Sequence, residues 1–184
     1  MFGCGKLAPE FIAQAAGIVA ERAGLTRADV RAAKFLVVAE TGVGPEHPFS
    51  GEKLSPVLAL YRADDFTAAA ALAESLLWYQ GAGHSVGLHT RTPERALQLG
   101  LELPVCRVIV NQAHCFATGG SFDNALPFSL SMGCGTWGGN SISDNLNYRH
   151  FLNITRVVHP LPAARVREPA AEDFFADYRR KHGL

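Results

Sequence analysis

The 184-residue chain is poor in most of the patterns that mark specialised chemistry. Its four cysteines, Cys4, Cys106, Cys115 and Cys134, form no CxxC pair, which argues against a zinc knuckle, a redox dithiol motif or a disulfide framework. Seven histidines include no HxH or HxxxH spacing, so metal catalysis is disfavoured and no metal ligands are assigned. Seventeen basic and seventeen acidic residues cancel, and the only basic run is Arg179-Arg180-Lys181. Neither nucleic acid nor an anionic membrane is therefore expected as a partner. No apolar run approaches the roughly 18 residues of a membrane span, and no basic segment followed by an apolar core opens the chain, so the expected location is the cytoplasm. What is abundant is apolar surface, at 48% of residues, enough for one buried core.

Periodicity then predicts the elements. Pro9 precedes apolar residues at helical spacing (Phe11, Ile12, Ala15, Ile18, Val19, Ala23) that stop at Gly24. Thr26 is an expected N-cap, and Lys34 to Glu40 an expected strand. Ser55 to Tyr61 reads as a second strand, followed by an alanine-rich helix from Phe66 to Tyr79 that Asp64 and Asp65 introduce. A third strand is expected over Ser85 to Thr90, a helix after Thr92 and Pro93, and a fourth strand from Cys106. The alternation gives an α/β class with a mostly parallel sheet and flanking helices. Phe151 to Val158 alternates like a fifth, edge or intersubunit strand, and the tail from Ala170 has helical spacing. The expected organisation is one partial domain over 1–160 and a tail over 161–184.

The segment Gly119 to Ser141, GGSFDNALPFSLSMGCGTWGGNS, holds six glycines and enough apolar residues to be an ordered loop that wraps something, expected to be a ligand. Gly133, Gly135 and Gly138 match GxGxxG, but turn residues rather than a helix follow, so the dinucleotide fingerprint fails. Gly3, Gly5 and Ala8 make a similar pattern with no strand to feed it. Cys106 reads as a small core residue, and Cys134 likewise. His114-Cys115 raises the reading of a Cys/His hydrolase nucleophile, which adjacency alone does not support. Glu52-Lys53, on a loop entering a strand, reads either as a solvated pair or as a ligand contact.

Taken together, PFSGEKLSPVLALYRADDF, YQGAGHSVGLHT, RVIVNQ and SMGCGTWGGNSISDNLNYRHFLNITRVV resemble the CoA-acylating aldehyde dehydrogenases, from about Leu7 to Val158, nearest to the sulfoacetaldehyde and succinate-semialdehyde types. The resemblance implies a C-terminal portion of such an oxidoreductase: part of the catalytic domain plus an oligomerisation strand, FLNITRVV. It implies that Glu52 bonds the nicotinamide ribose and that Leu54 lies at the nicotinamide face. Asn111, Gly119 and Gly120 fall near the substrate and nicotinamide end. The implied reaction uses an aldehyde, NAD(P) and coenzyme A, and passes through a cysteine thiolate that the family places upstream of the part resembling Leu7 to Gly24. With that cysteine and the nucleotide-binding domain outside the resemblance, no catalytic residue is assigned, and the chain alone is expected to be inactive with weak cofactor binding. A homo-oligomer is expected, and the rival reading is a non-catalytic module that associates with itself or with a complete enzyme.

Overall fold

A computed structural model describes residues 1–3 and 6–183. Contacts divide the chain into two units, Met1–His150 and Phe151–Leu184. The first unit opens with an antiparallel pair, β1 (Phe2–Gly3) and β2 (Lys6–Leu7), followed by a 3-10 turn at Pro9–Phe11. The single helix expected from Pro9 to Ala23 is broken here. Ala13 takes a left-handed φ of 55° and its N–H donates to Leu54 O at 2.8 Å, so α1 begins only at Ala16 and runs to Arg22. A tertiary hydrogen bond from a distant loop has overridden local periodicity. The short α2 (Ala28–Arg31) is preceded by Arg27 without a side-chain cap, so Thr26 does not cap it.

Two parallel pairs carry the unit. β3 (Leu36–Ala39) pairs with β4 (Val57–Leu60) in the register Leu36↔Val57, and β5 (Val86–Leu88) pairs with β6 (Val108–Val110) in the register Val86↔Val108. Between β4 and β5 lies α3 (Phe66–Tyr79), which starts where Asp65 Oδ1 accepts the Ala68 N–H at 2.8 Å. α4 (Glu94–Glu102) makes the crossover from β5 to β6. Each pair has its own small core. Phe11, Val19 and Val57 pack under β3 and β4, and Leu99, Leu103 and Val105 pack with Leu77, Val86 and Val108 around β5 and β6. The β3–β4 pair is covered on one face only: Val57 is 2% exposed, whereas Val37, Leu58 and Leu60, on the opposite face, are about half exposed.

The glycine-rich loop is organised around a buried cation. Arg107, 6% exposed on the approach to β6, donates from Nε to Asn145 Oδ1 at 2.8 Å, from Nη1 to the carbonyls of Gly133 (3.0 Å) and His84 (3.3 Å), and from Nη2 to Ser143 O (3.4 Å). Asn145 is fully buried, and its amide donates to Thr118 O and Pro127 O, each at 2.9 Å. The two arms of the loop also pair with each other, Leu146 N–H to Ser131 O and Gly133 N–H to Asp144 O, both 2.8 Å. The loop therefore wraps a guanidinium of its own chain, and its hairpin turns through a 3-10 segment at Thr136–Gly138 rather than into an α-helix.

In the second unit, residues 152–162 form no ladder among the described residues, and Leu152, Ile154, Val157 and Val158 are exposed. The strand expected over Phe151 to Val158 is thus absent among the described residues. An extended segment becomes a strand only when another backbone takes its N–H and C=O groups. The helix α6 (Ala171–His182) begins where Asp173 accepts the Ala170 N–H at 2.8 Å, pairs Arg179 with Glu172 at 2.7 Å, and ends at Gly183 with φ 67°. Acidic residues at its start and basic residues at its end suit the helix dipole.

Two substitutions test this account by urea unfolding. Asn145→Leu removes the Nε acceptor and leaves two carbonyls unpaired, with an expected loss on the order of 3 kcal/mol; a loss below about 1 kcal/mol would contradict the hub. Asp65→Ala removes only a cap and is expected to cost about 1 kcal/mol.

Candidate functional site

At the C-terminal ends of β5 and β6 the chain turns on Asn111. This residue is held at φ 53°, and its side-chain amide is spent on backbone, Oδ1 accepting the Thr90 N–H at 2.8 Å and Nδ2 donating to Thr90 O at 2.9 Å. Asn111 thus clasps the two strand ends. Immediately after it, α5 (His114–Ala117) leads to Gly119 and Gly120. Gly120 is buried with φ 86°, and a β-carbon there would lie 2.6 Å from Pro127 O and 2.7 Å from Leu126 O, so no larger residue fits. Gly119 O accepts the Ser129 N–H at 2.9 Å. The two glycines bring the loop backbone of residues 126–129 against the end of α5.

Glu52 and Leu54 sit on the loop that feeds β4. The Glu52 N–H donates to Gln80 Oε1 at 2.6 Å, while its carboxylate is exposed and has no hydrogen bond or ion pair among the described residues. Leu54 is 55% exposed at a left-handed φ of 41°, its carbonyl held by Ala13. Lys53 is not a partner of Glu52. Its Nζ folds back onto the carbonyls of Phe49 (2.7 Å) and Gly51 (2.6 Å), and burial pushes its pKa down, opposed by Glu40. The loop thus presents a free carboxylate beside an apolar side chain, with the lysine serving as its tie. That pairing suits a ribose and a flat ring: a carboxylate can accept from vicinal hydroxyls, and an exposed leucine can lie against an aromatic face.

Sequence reasoning missed two polar groups. At the end of β3, Glu40 accepts from the Thr41 N–H at 2.9 Å and lies 2.8 Å from His47 Nδ1; these contacts hold its carboxyl below the usual range, the backbone N–H being the larger cause. The second is a chain of three side chains, His84 Nδ1 to Ser85 Oγ at 2.6 Å and Ser85 Oγ to His114 Nε2 at 2.8 Å. Burial, and secondarily His84, lowers the His114 pKa. His84 is exposed, and its Nε2 has no hydrogen bond among the described residues. His114 is therefore bonded to a serine, not to Cys115, which is exposed as the next residue of α5. The Cys/His nucleophile gains no support, since neighbours on a helix point apart. Among the described residues no group of three His, Cys, Asp or Glu side chains could hold a metal ion.

One sequence signal could have found the buried hub: Arg107 is the lone charge in an apolar strand run, CRVIV. A cation in that setting must find acceptors inside the fold.

No family model matches the chain. It is 60% identical over 183 residues to an acylating sulfoacetaldehyde dehydrogenase of Cupriavidus necator, a match that covers 100% of this chain and 36% of that protein. It is 35% identical over 175 residues to an acetylating succinate-semialdehyde dehydrogenase of Clostridium kluyveri, covering 95% of this chain and 38% of that one. Among solved structures, an acetylating aldehyde dehydrogenase from Geobacillus thermoglucosidasius superposes with a TM-score of 0.77 at 35% identity, over 88% of this chain and 36% of the other. The chain thus spans little more than a third of the length of the relatives it matches. Along its whole length the chain is homologous to one portion of the acylating aldehyde dehydrogenases and shares the fold of that portion.

Proposed function

We propose that this chain is the C-terminal portion of an oxidoreductase that converts a short anionic aldehyde, of the sulfoacetaldehyde or succinate-semialdehyde kind, to an acyl-CoA with NAD(P) and coenzyme A. The observation that carries the reading is the 60% identity over the whole chain to an acylating sulfoacetaldehyde dehydrogenase. The half-covered β3–β4 pair supports it, because strands apolar on both faces are built to be covered on both.

NAD(P), when bound, supplies the hydride acceptor. Glu52 would accept hydrogen bonds from the ribose hydroxyls through its free carboxylate, and Leu54 would pack beside the nicotinamide ring. Asn111 and the Gly119–Gly120 turn shape the aldehyde end by fixing backbone rather than by reaching out with side chains. Transfer of the acyl group to the CoA thiol requires a group to hold the thiol proton near neutral pH. His84 offers an Nε2 with no hydrogen bond among the described residues, while Ser85 Oγ, itself bonded to His114 Nε2, holds the other ring nitrogen. The nucleophilic thiolate is assigned to the remainder of the family's length, so the chain alone is inactive and holds NAD(P) weakly. Without the rest of a nucleotide site, one carboxylate and one leucine offer little binding surface.

Purified chain mixed with sulfoacetaldehyde, CoA and NAD or NADP is expected to form no acyl-CoA. Turnover in the ordinary enzyme range of about 1 to 1000 per second would overturn the assignment of the nucleophile elsewhere. NADH titration should show weak binding that Glu52→Gln weakens about tenfold, the effect of one charge-assisted hydrogen bond.

A second reading rests on the exposed segment from Phe151 to Val158, which pairs with no strand among the described residues: the chain self-associates, or joins a complete enzyme, through this edge. Light scattering is expected to show an oligomer that Ile154→Lys dissociates. A stable monomer that also fails to co-purify with a full-length relative would dismiss this reading.

A further inference from the structure

Cys106 and Cys134 lie far apart in the chain and share no motif, yet the fold brings them to one place. The Cys106 N–H donates to Gly83 O at 3.2 Å, which sets Cys106 beside Gly83 across the start of the β5–β6 pair. Gly83 is in turn overlain by Cys134: a β-carbon on Gly83 would lie 2.8 Å from Cys134 Cβ and would collide with the Cys134 carbonyl. From the other side, a β-carbon on Gly135 would lie 3.1 Å from Cys106 Sγ. Consecutive Cα atoms are about 3.8 Å apart, so the Cys106 sulfur rests against the immediate neighbour of Cys134. Two glycines are what allow this approach.

The surroundings add two properties. Burial pushes the Cys106 thiol up, the Arg107 guanidinium opposes that rise, and the nearby Cys134 adds to it. Cys106 also lines an open cleft of about 310 Å³ with Gln112, Asn124 and Leu126, wide enough to bring a small oxidant to this residue. Both residues are half-buried and both are free thiols.

We propose that Cys106 and Cys134 are an oxidative modification site, closing to a reversible intrachain disulfide when the chain meets a peroxide. The Cys106 thiolate attacks one peroxide oxygen and breaks the O–O bond, giving a sulfenic acid and, with one proton, water. The Cys134 sulfur then attacks the sulfenic sulfur, forms the S–S bond, loses its own proton and displaces the second water. In sum, two thiols and one hydrogen peroxide become one disulfide and two waters. The product staples the glycine loop to the start of β6, directly over the Arg107 hub. Because the attacking thiol is held protonated, closure accelerates as pH rises.

The test is hydrogen peroxide treatment of the Cys115→Ser chain at low protein concentration, followed by thiol blocking, trypsin digestion without reductant and mass spectrometry. Cys115 must be replaced because it shares the tryptic peptide Val108–Arg149 with Cys134, whereas Cys106 lies in Ala96–Arg107. The expected major product is these two peptides joined, lighter by two hydrogens, from chain that still runs as a monomer on a non-reducing gel and that separates on treatment with a phosphine. Recovery of the peptides unlinked, with Cys106 unmodified or overoxidised, would overturn the proposal. So would the same yield of cross-linked Cys106 after Cys134→Ser.

Discussion

The first unit depends on a guanidinium that has no charged partner among the described residues. Arg107 is buried on the approach to β6, and its four contacts are one amide oxygen and three backbone carbonyls. Placing a cation among apolar strands costs several kcal/mol unless its donors are met, and here the acceptors come from three parts of the chain: His84 before β5, Gly133 on the outgoing arm of the glycine loop, and Ser143 and Asn145 on its returning arm. The cost of leaving the guanidinium unmet is what holds those parts together. Asn145 extends the constraint, because its own donors hold Thr118 and Pro127, the two ends of the turn that contains Gly119 and Gly120.

This constraint explains how a long glycine-rich segment is held in one conformation. Its glycines are required for close backbone approach: Gly120 against residues 126 and 127, and Gly133 against the returning arm at Ile142. The consequence for function is indirect. The segment sets the backbone beside Asn111 and places Cys134 over Gly83, while the Glu52 carboxylate and His84 Nε2, which have no hydrogen bond among the described residues, lie on other loops.

The chain is also built with faces that it does not itself cover. Val37, Leu58 and Leu60 on the β3–β4 pair, and the apolar residues of 152–158, are exposed although their composition suits burial. Relatives nearly three times as long supply the context in which such surfaces make sense.

Local chemistry made much of the architecture legible. Helix α3 begins at its aspartate cap and ends as the alanine-rich run predicts, because both signals act within a few residues. The strand cores and the parallel class were readable from the alternation of apolar runs with helical periods, and the family from the motifs strung between them. The sequence alone determined those elements and the kinship. Tertiary structure decided the rest: the break at Ala13, made by a carbonyl of Leu54; the tie of Lys53 to backbone rather than to Glu52; the chain through His84, Ser85 and His114; and the occupant of the glycine loop. Each of these is set by a hydrogen bond whose partner is chosen by the fold, and residue spacing carries no record of a partner that arrives from elsewhere in the chain.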